Sequence, residues 1–119
     1  MWAASSRPGH AKSIQHTYVT AMLKGGSSAG GLRDGQYAIK GGDAQAGGLT
    51  TYYDGPRPSG YAPMRKQGAI ILGTGGDNSN GAVGSFYEGF MASGVTSAET
   101  DDAIQANIIA VGYKTLPSI

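Results

Sequence analysis

Ala69-Ile70-Ile71-Leu72-Gly73-Thr74-Gly75-Gly76-Asp77-Asn78-Ser79-Asn80-Gly81 joins a short apolar run to a loop of glycine and small polar residues. The run is apolar and β-branched enough for a buried strand. After the loop comes a second extended stretch, Ser85-Phe86-Tyr87-Glu88-Gly89-Phe90-Met91. Asp77 is thus an acid in a glycine loop between two expected strands. Glycine reaches backbone angles closed to other residues and lets a ligand approach the main chain. Such loops on a rigid sheet often carry function. The same residues also suit a plain hairpin turn, so both readings stand at this point.

Working outward, the chain has 119 residues, enough for one domain of ordinary size. Its 21 glycines cluster between apolar runs without a collagen-like period, as in a turn-rich β protein. Charged residues make up 14%, a proportion common in secreted β proteins. A net charge of +1 gives no electrostatic case for nucleic acid or an anionic membrane. With no cysteine, neither a disulfide nor a thiolate metal site can form. No apolar run approaches the roughly 20 residues that span a bilayer. Residues 1–10 lack an apolar core of signal-peptide length, so no export signal is expected in the chain as written.

Residues 1–15 read as a loose polar tail, and 16–119 as the domain. Thr17–Leu23, Gln36–Lys40 and Leu49–Tyr53 are expected strands, rich in β-branched and aromatic residues. Residues 69–72 are a fourth and 84–92 a fifth. The segments that follow Lys24 and Lys40, each opening Gly-Gly, are expected as connections, and their likeness as shared turn chemistry. The prolines at 56, 58 and 63 are expected to exclude regular structure from 54–63. Near the C-terminus, Thr96-Ser97-Ala98-Glu99 fits a capping box with Thr96 as the cap. Glu99, Asp101 and Asp102 then lie at the positive end of the helix dipole. Ile104, Ile108 and Val111 form one apolar stripe, and Gly112 and Pro117 bracket the helix end. The expected fold is mainly all-β: an antiparallel sheet domain with one C-terminal helix.

Several motif readings fail on spacing. Gly73-Thr74-Gly75 starts like a dinucleotide fingerprint, but Asn78 holds the third glycine position and no helical pattern follows. No Walker-type phosphate loop is present. Asp77 to Glu88 has Ala82 where a calcium loop of the EF-hand type needs glycine. No metal and no cofactor are expected. His10 and His16 have no evident partner and read as solvated. Asp34, Asp43 and Asp54 fall in glycine turns and read as structural, while Glu99, Asp101 and Asp102 serve the helix start. Asp77 and Glu88 remain as the acids with the most suggestive surroundings. The bland reading of Glu88 is a strand acid bonded to backbone or an arginine.

Seven ordered blocks carry a more specific signal. They are Lys24-Gly25-Gly26, Tyr37-Ala38-Ile39, Leu49-Thr50-Thr51-Tyr52-Tyr53, Gly68-Ala69-Ile70-Ile71-Leu72-Gly73, Gly75-Gly76-Asp77-Asn78-Ser79-Asn80-Gly81, Phe86-Tyr87-Glu88-Gly89 and Gln105-Ala106-Asn107-Ile108. Together they closely resemble the C-terminal part of the catalytic domain of the α-L-arabinofuranosidase B family, glycoside hydrolase family 54. The likeness runs from about Tyr18 to Tyr113 and leaves the first fifteen residues outside. It implies a partial concanavalin-like β-sandwich and an extracellular retaining glycosidase. Its substrates would be terminal non-reducing arabinofuranosyl residues of arabinan and arabinoxylan. In the matching loop the aspartate is the acid/base, which falls on Asp77, and the preceding glycine, Gly76, meets the sugar through its backbone.

The resemblance also implies what these residues lack. The family nucleophile is a glutamate in a Met-Glu-Asn-Asn segment, and no such segment occurs in the 119 residues. The family's vicinal cysteine pair and its C-terminal arabinose-binding trefoil domain are absent too. A retaining site needs two carboxyl groups about 5–5.5 Å apart, so the polypeptide alone is expected to hydrolyse nothing. The alternatives are a non-catalytic carbohydrate-binding sandwich module, with tyrosines 52, 53, 61 and 87 as stacking rings, or an inactive remnant.

Overall fold

A computed structural model describes residues 13–25, 35–60, 72, 81 and 83–117. Three strands, β1 (Val19–Gly25), β2 (Gln36–Asp43) and β3 (Thr50–Pro56), precede one helix, α1 (Ala98–Val111). The strands form an antiparallel meander in the order β1-β2-β3. Thr20 faces Gly42, Met22 faces Lys40 and Lys24 faces Ala38 across the first pair. Ile39 faces Tyr53 and Lys40 faces Thr51 across the second, so Tyr52 is an extra residue in a bulge. The described architecture is mainly antiparallel β with one C-terminal helix, as the sequence implies.

Each strand runs past its expected end. β1 takes in Gly25, β2 takes in Gly41, Gly42 and Asp43, and β3 takes in Asp54, Gly55 and Pro56. Glycine carries the same backbone donor and acceptor as any residue, so Gly25 after Lys24, and Gly41 and Gly42 after Lys40, continue the ladder instead of ending it. Pro56 is tolerated because β3 is an edge strand of the described sheet and Pro56 is its last residue. Asp54 accordingly lies in a strand, not a turn.

Gly42 has a steric reason. A Cβ there would sit 2.8 Å from the carbonyl oxygen of Gly48, in the turn that returns the chain to β3. Asp43 Oδ1 accepts a hydrogen bond from the Gln45 amide at 2.9 Å and starts that turn. On the other face of β2, Gly41 is covered by Ile14 and the Tyr52 ring.

The expected fifth strand is not formed: residues 84–92 are irregular, with Phe86, Tyr87, Phe90 and Met91 exposed. A strand needs a neighbour's ladder to satisfy its backbone, and no described strand pairs with this segment. Of the expected fourth strand only Leu72 is described, in a bend; residues 69–71 lie outside the described set.

Helix α1 starts one residue later than its capping box suggests. Ser97 is the N-cap, and its hydroxyl accepts from the Thr100 amide at 3.1 Å. Gly112 ends the helix in the left-handed region, at φ 79°, and donates its N–H to the Ile109 carbonyl. The inward face is Asp101, Ile104, Gln105 and Ile108, not the expected Ile104–Ile108–Val111 stripe. Val111 is exposed, and the two most buried side chains of the helix are polar, Asp101 and Gln105. No described helix is long and apolar enough to cross a membrane.

Candidate functional site

The helix is fastened to the sheet by charge. Lys24 on β1 and Lys40 on β2 are diagonal neighbours on one sheet face. Both donate to Asp101 Oδ2, at 2.6 and 2.8 Å. Thr96 donates its hydroxyl to the other oxygen, Oδ1. Asp101 is fully buried, and the lysine side chains are 10% and 13% exposed. Burial pushes the carboxyl up, but the hydrogen bonds from Lys24, Lys40 and Thr96 outweigh it, and the pKa is lowered. Asp101 does more than complement the helix dipole. Thr96, one residue before the cap, gives its hydroxyl to this carboxylate.

Gln105, one turn along α1, adds a second fastening. Its Nε2 donates to the carbonyls of Asp43 at 2.7 Å and Gly47 at 3.2 Å. In return, Gln45 Nε2 donates to the Tyr113 carbonyl at 3.0 Å. His16 is not wholly solvated: its Nδ1 lies 3.7 Å from Asp43 Oδ2.

An aromatic group closes the far end. Tyr87 is tilted against Tyr18 and Tyr113, with ring centroids 5.4 and 5.2 Å away, and Tyr18 stacks on Tyr113 at 5.8 Å. Tyr113 donates its hydroxyl to Glu88 Oε2. That hydrogen bond, then burial, then the Glu88 charge, push the Tyr113 phenol above its ordinary value. Glu88 is exposed and held by a tyrosine, neither by backbone nor by arginine among its described partners.

The acid/base candidate Asp77 and its neighbour Gly76 lie outside the described residues. The chain on either side of their loop does not. A Cβ on Gly89 would come 2.9 Å from Leu72 Cδ1 and 3.0 Å from the Phe86 ring. Leu72 leads into the loop, whereas Phe86 and Gly89 follow it. Leu72, before the loop in sequence, thus lies against Gly89, after it, and Tyr87 and Glu88 meet Tyr18 and Tyr113.

No described group of three or more His, Cys, Asp and Glu residues is placed to hold a metal. Of the four candidate stacking tyrosines, Tyr53 is buried, and its ring packs on Tyr37 with centroids 4.7 Å apart. Burial first, then Tyr37 and Asp54, push its phenol up. Tyr52 is half-buried in the bulge, Tyr87 is exposed within the aromatic group, and Tyr61 is outside the described residues. The sequence reading missed the Lys24–Asp101–Lys40 cluster. Its signal was the repeated Lys-Gly-Gly.

Comparison with known proteins agrees with this framework. The family model for the catalytic domain of α-L-arabinofuranosidase B matches residues 2–114, so the similarity also reaches into the first fifteen residues. An α-L-arabinofuranosidase of Hypocrea jecorina is 53% identical over 107 residues, covering 88% of this chain and 20% of that one. The α-L-arabinofuranosidase B of Aspergillus niger is 53% identical over 103 residues, covering 85% and 19%. The chain thus spans about a fifth of the length of the curated relatives it matches. One solved structure, an arabinofuranosidase complexed with arabinofuranosyl-α-1,2-xylobiose, superposes with a TM-score of 0.72 at 53% identity, covering 86% of this chain and 20% of that one. Another, a family 54 α-L-arabinofuranosidase soaked with a cyclic sulfate inhibitor, gives 0.73 at 52% identity, covering 87% and 20%. By sequence across most of its length and by fold, this chain belongs to the α-L-arabinofuranosidase B catalytic family.

Proposed function

We propose that this chain supplies the acid/base half of a retaining α-L-arabinofuranosidase. The observation that carries the reading is the family match over residues 2–114, which includes the Gly76-Asp77 loop. Asp77, as the acid, protonates the glycosidic oxygen as the bond to the arabinofuranosyl carbon breaks. A second carboxylate forms the new bond to that carbon. Asp77, now the base, takes a proton from the water that releases the sugar. Gly76 lets the sugar approach the backbone, since no Cβ intervenes. The second carboxylate would be the glutamate of a Met-Glu-Asn-Asn segment, which these residues do not contain.

Substrates on this reading are terminal arabinofuranosyl groups on arabinan or arabinoxylan, met outside the cell. The neighbour complexed with arabinofuranosyl-α-1,2-xylobiose supports that class. The exposed Tyr87 beside Glu88 favours, as a second reading, sugar binding without hydrolysis.

The test is an assay of the purified chain on an aryl α-L-arabinofuranoside, with arabinose titration followed by NMR. The expected result for the chain alone is no turnover. Turnover lost on Asp77→Asn would show that the chain holds both carboxylates, which the half-site reading forbids. Saturable shifts without hydrolysis favour the binding reading. Placed in the Aspergillus niger enzyme instead of its matching segment, the chain should support hydrolysis. There Asp77→Asn should lower kcat about 10²–10⁴-fold.

A further inference from the structure

Two buried polar atoms in the joint between α1 and the sheet make no hydrogen bond to any described residue: the Thr20 hydroxyl oxygen and Gln105 Oε1. Thr20 is 7% exposed and Gln105 2%. A buried polar group without a partner is costly, and nearly all find one in protein or in ordered water. The two atoms belong to one layer. Side chains alternate along a strand, so Thr20, Met22 and Lys24 share the face of β1 under α1, opposite Gly42, Lys40 and Ala38. Lys24, at one end of that face, meets Asp101. Tyr18, just before the strand, meets Tyr113, just past the helix. The helix therefore runs back along β1. Thr20 lies between Tyr18 and Lys24, and Gln105 lies between Asp101 and Tyr113. Gln105 Nε2 fixes the amide at the Thr20 end of the face, by donating to the carbonyls of Asp43 and Gly47. Asp43 follows Gly42, the cross-strand partner of Thr20. A Cβ on Gly42 would lie 2.8 Å from the Gly48 carbonyl oxygen. A backbone oxygen thus stands where a side chain opposite Thr20 would be.

We propose that one buried water molecule bridges Thr20 Oγ1 and Gln105 Oε1 beneath α1. The chemistry of the donor set selects water. Thr20 has a hydroxyl hydrogen to give, and Gln105 Oε1 can only accept. Thr20 donates to the water, and the water donates to Oε1. The Gly48 carbonyl oxygen is placed to accept its second hydrogen. Buried waters make about three such bonds. An anion at this place would face two carbonyl oxygens. A cation would face the ammonium groups of Lys24 and Lys40 on the same side of the sheet, and the Asp101 carboxylate is already held by both. The proposal concerns how α1 is seated and is independent of any hydrolysis by the chain.

The test reads the water directly. Water–protein NOE spectra of the chain should show a long-lived contact between water and the Gln105 side-chain amide protons. The contact should survive Thr20→Ser, which keeps the hydroxyl, and be lost on Thr20→Val, which keeps the shape. Thr20→Val should also lower Tm by roughly 4 °C or more, because the water loses a partner. A dry hydroxyl gives the opposite sign, since replacing an unpaired buried hydroxyl by a methyl group leaves Tm unchanged or raises it. Should the chain give no resolved spectrum, crystals of the Aspergillus niger chimera read the same place, as ordered density within hydrogen-bond reach of both atoms. Three results overturn the proposal: no long-lived water at Gln105, a direct hydrogen bond from Thr20 to Gln105 with no water between them, or an unchanged or higher Tm for Thr20→Val.

Discussion

Replacing Asp101 with asparagine tests the central fastening with almost no change of shape. The carboxylate is fully buried, accepts from two ammonium groups at 2.6 and 2.8 Å, and also accepts from Thr96. Asparagine keeps one acceptor but removes the charge, leaving Lys24 and Lys40 mostly buried with like charges turned together. Removing one partner of a buried ion pair costs about 3–5 kcal/mol, mainly because the survivor is left uncompensated. A domain of this size has only about 5–15 kcal/mol of net stability. Its described apolar core is small: Ala38, Ala44 and Tyr53 are the buried hydrophobic residues. With a urea dependence of about 2 kcal/mol per molar, the unfolding midpoint should fall by roughly 2 M.

The acid side gives the same experiment a second readout. The Asp101 pKa is lowered in the fold from its ordinary value of 3.8. Such a group stabilises the fold above 3.8, and this contribution is lost as pH falls through the lower folded value. The parent's urea midpoint should therefore drop more steeply below pH 3.8 than that of Asp101→Asn. Replacing the cluster by Lys24→Met, Lys40→Met and Asp101→Leu together should recover most of the loss, since no charge is then left buried. A midpoint shift under about 0.5 M for Asp101→Asn, with parallel acid profiles, would refute the idea that charge holds the helix to the sheet.

Three further outcomes concern the turn and the aromatic end. Gly42→Ala places a methyl 2.8 Å from the Gly48 carbonyl oxygen and should cost about 1–3 kcal/mol in thermal melts. Gly47→Ala meets nothing within 4 Å, so only its left-handed backbone, φ 83°, opposes it and the loss should be about 1 kcal/mol. Spectrophotometric titration should find a phenol, Tyr113, ionising above its ordinary value of 10.0, and Glu88→Gln should bring it down. Because that folded pKa is raised, any stability it confers is present below pH 10.0 and lost as pH rises through the folded value.

Which parts of this were legible in sequence follows from what sequence patterns encode. Strand cores announce themselves by β-branched and aromatic residues, and β1, β2 and β3 stand where Thr17–Leu23, Gln36–Lys40 and Leu49–Tyr53 place them. Strand ends do not. Gly41 and Gly42 read as a turn because glycine is common in turns, yet here glycine answers a close approach by Gly48 and by Ile14. The helix was legible from its cap and its terminal glycine, but its packing face was not. A search for an apolar stripe looks past Asp101 and Gln105, whose partners lie 77 and 62 residues away in sequence. Residues 84–92 read as a strand because they are aromatic, although no described strand offers them a ladder and they are irregular here.

The doubled Lys-Gly-Gly shows how those two kinds of signal combine. Each lysine is followed by a glycine on the next strand position, and the β1–β2 register sets the two lysines diagonally on one face. A lysine alone on a sheet face would turn to solvent, but two within reach of one buried carboxylate fix the helix in a single position. That position carries consequences for the loop. Tyr113 follows the helix and meets Glu88 and Tyr87, which follow Gly81. Gly89 meets Leu72, which precedes Gly73. The cluster is remote in sequence from Asp77, yet Tyr87 and Glu88, which follow the Asp77 segment in sequence, meet Tyr113, which follows the helix. A substitution at Lys24 or Asp101 in the family-derived chimera should therefore lower arabinofuranoside turnover by displacing the Tyr87–Glu88 segment that meets Tyr113. Its signature would be a fall in kcat with an unchanged pH profile, because the ionising groups of the reaction are untouched.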